Sequence, residues 1–130
     1  MKQCISAVAL VIEDYDAAIA FYCDKLGFDL IEDNELAPGK RWVLVAPPGS
    51  EETRILLAKA DNDEQLRRIG DQTGGRVLLF LRTDDFHRDY ERMCAKGVTF
   101  LESPREEDYG TVAVFTDLYG NKWDLISPKV

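Results

Sequence analysis

The chain has 130 residues, 45% hydrophobic and 31% charged, with 24 acidic side chains against 16 basic ones and a formal net charge of −8. That length supports a single domain with a real core, and the composition excludes a disordered, collagen-like or coiled-coil chain. The acidic excess argues against nucleic acid, whose phosphates need Lys and Arg, and against an anionic membrane surface.

The first strand is expected over Val8–Ile12, an apolar run that ends at Glu13 and Asp14. A helix follows, with Asp14 as its N-cap and Ala18, Phe21, Tyr22 and Leu26 on one stripe. Gly27 suits the left-handed position that stops it. Gly39 then precedes a strand at Trp42–Ala46, a Pro47–Ser50 turn, and a closing strand at Arg54–Ala58. The polar stretch Asp61–Gly75 holds a short helix over Asp63–Ile69 and a Gly-rich loop.

The same order then recurs. Val77–Leu81 is an apolar run, Asp85 caps a second helix with Phe86, Tyr90, Met93 and Cys94 as its stripe, and Gly97 stops it. Glu102–Asp108 reads as a charged, solvated loop, with Arg105 a candidate residue at the mouth of a cavity. Gly110 precedes a strand at Val112–Thr116, Asp117–Asn121 forms a hairpin turn with Gly120 at positive φ, and Lys122–Ile126 closes the copy. Gly39 and Gly110 are separated by the same interval as Gly49 and Gly120, so the chain is an internal repeat of two β-α-β-β-β modules. Expected boundaries are about 1–60 and about 76–130, with about 61–75 as linker, packed as one domain spanning 1–130.

Three cysteines, Cys4, Cys23 and Cys94, are odd in number and widely spaced, which excludes a disulfide framework and a CxxC zinc or redox motif and fits a reducing cytoplasm. No apolar run of about 18 residues exists to span a membrane, and the N-terminus lacks a signal-peptide core. No phosphate-binding glycine loop follows a strand. A Ser-His-Asp triad is implausible with one histidine, His87, expected on the solvent side of its helix.

The ordered set of matches resembles the vicinal oxygen chelate superfamily, which includes glyoxalase I, bleomycin resistance proteins and extradiol dioxygenases. The matching residues are Val8–Asp16, Ala20–Tyr22 and Leu26–Phe28 in the first module. In the second they are Gly97–Val98, Ser103–Arg105, Tyr109–Gly110 and Asp117–Leu125. The resemblance implies an α+β fold, two βαβββ modules forming a U-shaped sheet around a cavity, in a protein that often forms homodimers. It also implies four metal-ligand positions, typically His or Gln, Glu, His and Glu. Here these fall on Ala7, Leu56, Leu78 and Asp124, so only Asp124 keeps a donor. A metal site normally needs several convergent ligands, so no resident metal or other cofactor is expected, with a divalent metal as the weaker alternative.

If Leu78 faces the cavity, strand alternation adds Arg76, Phe80 and Arg82 to the same face. Asp124 lies on the neighbouring strand. It either pairs with Arg76 or joins it in gripping a polar ligand. Arg82 either contributes to that grip or snorkels at the mouth. Trp42, Phe80, Tyr109, Tyr119 and Trp123 form either an aromatic wall for a flat or cationic ligand or ordinary packing.

Three functions remain. The first is a small-molecule-binding protein of the bleomycin-resistance type, its ligand cationic, aromatic or carboxylate-bearing. The second is a glyoxalase-like lyase, isomerase or dioxygenase with a relocated or metal-free site and Asp124 as general base. The third is a non-catalytic interaction or regulatory module.

Overall fold

The computed structural model describes residues 1–129. The chain divides into two compact units, Met1–Ile69 and Gly70–Val130. The first unit runs β1 (Ala7–Ile12), α1 (Tyr15–Ile19) continued by a π-helical segment (Ala20–Lys25), β2 (Asp29–Ala37), β3 (Lys40–Ala46), β4 (Arg54–Lys59) and α2 (Asp63–Arg68). The second runs β5 (Val77–Arg82), α3 (Phe86–Ala95), β6 (Thr99–Phe100), β7 (Arg105–Glu107), β8 (Gly110–Thr116) and β9 (Lys122–Pro128).

Each unit is built on one sheet. The first has strand order β1-β4-β3-β2, and the second β5-β9-β8-β6 with β7 also paired to β8. Only β1 with β4 and β5 with β9 are parallel. The fold is therefore α+β, with two mostly antiparallel sheets and few helices, as the sequence pattern predicts. No helix among the described residues is long and apolar enough to cross a membrane.

Both helices start where a local signal puts them. Asp14 and Asp85 hold extended backbone, and their carboxylates accept from the Ala17 and Arg88 amides. Each helix ends at a positive-φ glycine, Gly27 and Gly97. The first helix widens at its end, where the Leu26 amide reaches back five residues to the Phe21 carbonyl at 3.1 Å.

The first core gathers Ala18, Phe21, Tyr22 and Leu26 from the helical segment with Leu10, Ile12, Val43, Val45, Ile55 and Leu57 from the sheet, all buried. The second stacks Phe115 on Trp123 with 5.8 Å between ring centroids, and buries Phe86, Met93 and Leu125. Tyr90 stacks on Phe86 and meets Phe100 edge-on.

Three details depart from the sequence pattern. Cys94, expected on the buried stripe of α3, is exposed, because Met93 alone takes the inward position at that turn. The run Glu102–Asp108, expected as a loop, contains β7, which exists because Arg105, Glu106 and Glu107 find partners at Val112, Thr111 and Gly110. The β5–β9 register also slips between Val77 and Leu79, so Leu78 is an extra residue opposite no partner.

Candidate functional site

That slip decides which residues share a face in the second unit. Beyond it Phe80 pairs with Asp124, and Arg82 with Ile126. On the other side of β9, Asp124 pairs with Val114. Phe80 is 67% exposed and Arg82 is also exposed, so this face presents a bare ring beside a carboxylate. Strict alternation does not carry across the bulge, so Arg76 is not brought onto this face by register. It lies before β5, exposed, with its carbonyl accepting from the Thr73 hydroxyl at 2.6 Å.

No ion pair joins Arg76 to Asp124 among the described residues, contrary to one expectation from the sequence. The charges acting on Asp124 are Arg105 and Glu102. Its Oδ1 is buried without a hydrogen-bond partner. Burial raises its carboxyl above the usual carboxylate range, Arg105 opposes that rise, and Glu102 adds to it. Arg105 is itself engaged, donating to Glu102 at 2.8 Å and to Glu107 at 2.6 Å.

Two of the aromatic candidates separate. Tyr109 stands 55% exposed at the turn between β7 and β8. Trp123 is core: it is 2% exposed and stacked on Phe115, because its position in β9 alternates with that of Asp124 and points to the opposite side.

The first unit holds a cleft of about 620 Å³. Its walls include Trp42 and Leu36 from the β2–β3 hairpin, Leu56 and Lys59 from β4, and Tyr15 from α1. Trp42 is 38% and Leu36 58% exposed, so both offer apolar surface to an occupant. One side of the cleft is held rigid by Arg41. Its guanidinium donates to both oxygens of Asp33, at 3.0 and 2.7 Å, and to Asp16 at 2.9 Å. It also lies over the Tyr15 ring, 5.1 Å from the centroid. The Tyr15 hydroxyl in turn accepts from the Arg41 amide at 3.1 Å. These hydrogen bonds hold the Asp33 carboxyl below its usual range and raise the Arg41 guanidinium.

Trp42 is the aromatic candidate that lines this cleft, together with Leu56 from the implied metal positions. Tyr15, Arg41 and the lysines were not legible as site residues, because no local motif marks them. Their meeting depends on β3 pairing in register with an acidic neighbour, Arg41 opposite Glu35 and two residues from Asp33's partner Val43.

The residues at the four implied metal positions do not fit a divalent ion. Ala7, Leu56 and Leu78 offer no donor atom in their side chains, and Asp124 is a single carboxylate. Among the described residues no three His, Cys, Asp or Glu side chains gather where they could hold a metal. His87 is exposed and meets Phe86 edge-on, with ring centroids 5.5 Å apart.

Comparison with known proteins adds the lineage. The family model described as the Glyoxalase/Bleomycin resistance protein/Dioxygenase superfamily matches residues 5–125. An uncharacterized protein of Shewanella frigidimarina (strain NCIMB 400) is 61% identical over 97% of this chain and 94% of its own. The crystal structure of UcmS2 is similar at a TM-score of 0.84 with 31% identity, covering 97% of this chain and 98% of that one. TnmS3, described as an antibiotic binding protein from Streptomyces sp. CB03234, is similar at 0.78 with 29% identity, covering 99% and 98%.

Proposed function

The chain belongs to the glyoxalase/bleomycin resistance protein/dioxygenase superfamily, and from that premise we propose that it binds a small organic molecule without using a resident catalytic metal. The observation that carries this reading is the cleft of about 620 Å³ beside the exposed face of Trp42. Clefts of about 300–1,000 Å³ with an apolar lining and a few polar groups are the usual form of a small-molecule site. The donor-poor metal positions support the second half of the reading, and the likeness to TnmS3 supports the first. Within this reading the protein acts in the cytoplasm as a homodimer that sequesters its ligand.

The test is a thermal-shift screen of drug-sized aromatic compounds, with hits titrated by calorimetry against the native chain and Trp42→Ala. A saturable ligand that loses most of its affinity in Trp42→Ala is expected. Hits that bind both proteins equally would move the site away from the cleft and sink the reading.

A second reading rests on Asp124. A carboxyl with a buried, unpartnered oxygen is suited to taking a proton from a bound substrate. In that reading Asp124→Asn loses turnover and keeps binding. Unchanged turnover in that variant would remove it.

A further inference from the structure

We infer that the cleft of the first unit selects flat aromatic molecules that carry a carboxylate or similar oxyanion, an inference that rests on the binding reading above and gives it a ligand class. The argument begins with charge. The chain as a whole carries −8, yet the charged residues among those lining the cleft are Lys40, Arg41 and Lys59 against the single acid Asp61. An acidic protein has placed three of its cations around one concavity.

These cations are not equivalent. Arg41 is already committed, since Asp33 and Asp16 take its donors and Tyr15 takes its face. Neither Lys40 nor Lys59 forms an ion pair among the described residues. Lys40 and Lys59, both exposed, are therefore the lining cations left to meet an occupant, and a ligand oxyanion supplies the partner that the protein does not. Asp61 is partly occupied, with its Oδ1 accepting from the Asn62 amide at 3.3 Å.

The apolar part of the ligand follows from the hairpin. Trp42 and Leu36 leave apolar surface exposed at one site, beside Pro38 and Gly39. Gly39, exposed in the hairpin turn, has φ of +77° and nothing near the place where a Cβ would stand, so the turn does not crowd the rim of the cleft. A planar ring system can stack on the indole and keep its acidic substituent toward the lysines. A cationic aromatic would also stack on Trp42, but it would bring a further positive charge to the side where Lys40 and Lys59 have no ion-pair partner among the described residues.

The experiment is calorimetric titration of the full chain with three probes of one shape: 2-naphthoate, its methyl ester, and 2-naphthylmethylamine. The carboxylate is expected to bind about fivefold or more tightly than the ester, roughly the worth of one close charge pair in water. Lys40→Gln combined with Lys59→Gln is expected to remove that preference while the ester binds as before. Trp42→Ala is expected to weaken both. Equal affinities for carboxylate and ester, or preference for the amine, would overturn the ligand class while leaving the binding reading in place. Binding of none of the three would also overturn the class. The binding reading itself fails only if the wider screen yields no ligand sensitive to Trp42→Ala.

Discussion

Arg41 grips Asp33 side-on, with Nε and Nη2 donating in parallel to the two carboxylate oxygens. Through the same guanidinium it reaches Asp16 in the first turn of α1, so one side chain of β3 ties an edge strand to a helix. Arg41→Lys keeps the charge but loses the planar fork. The variant is expected to lose about 1 kcal/mol of stability in urea unfolding, since the cluster is part-exposed and screened by solvent. Asp33 has a folded-state value held below its unfolded one by Arg41. Its contribution is present above the ordinary carboxylate range and fades as pH falls through the folded value. The acid limb of the stability curve should therefore flatten in Arg41→Lys, and an unchanged limb would show the pair to be inert.

Asp124 has the opposite sign. Burial raises its carboxyl, so its favourable contribution is present below the unfolded carboxylate value and is lost as pH rises through the folded value. Asp124→Asn is expected to gain up to about 1 kcal/mol at pH 7, the order of cost for a poorly satisfied buried polar atom. The gain should vanish below pH about 4, where both proteins carry a neutral group. Thermal melts of the two proteins across that range check it, and a pH-independent difference would refute it.

The two tryptophans should respond in the same direction but to very different extents. Trp123→Ala opens the second core and is expected to cost about 3–5 kcal/mol. Trp42→Ala removes a side chain that is 38% exposed and is expected to cost about 1 kcal/mol or less. Denaturant midpoints measure both. A large loss at Trp42 would make it a structural residue first.

Gly70 has no room for a side chain. With φ of +78°, a Cβ there would stand 2.1 Å from the Tyr119 carbonyl oxygen. Gly70→Ala is expected to destabilise the protein by about 1 kcal/mol or more. It should also shift the amide resonances of the Asp117–Asn121 turn, while Gly74→Ala, with open space around it, leaves them in place.

Chelation offers a check on the donor set. Protein prepared without chelators is expected to keep the same thermal midpoint after EDTA treatment, because no three ligating side chains gather among the described residues. A midpoint that drops with EDTA and returns with one divalent ion would overturn the mapping of the implied metal positions onto Ala7, Leu56, Leu78 and Asp124.

Helix starts were readable from the sequence because the signal is local: Asp14 and Asp85 each accept from an amide three residues on. The strands of the core were readable from apolar runs such as Val8–Ile12. β2 was not, since all nine of its residues are exposed and its sequence lacks alternation. It is a strand because β3 supplies partners along its length. β7 escaped for the same reason. The bulge at Leu78 was hidden inside an unbroken apolar run with no glycine to mark it, and it alone separates Arg76 from the face holding Phe80 and Asp124. The site in the first unit needs tertiary pairing to exist, so among its residues the sequence marks only Trp42, as an aromatic candidate, and Leu56, as an implied metal position.

β2 also has a bearing on how long the protein stays dispersed. It is the outermost strand of its sheet, nine residues long and exposed throughout. An open strand edge of that length is a template on which another chain can add. Asp29, Glu32 and Glu35 lie along it beside the Arg41-paired Asp33, and like charges on an incoming copy oppose that addition. Those charges stand where fibre growth would start, and high salt, by screening them, should turn the same edge from a guard into a seed.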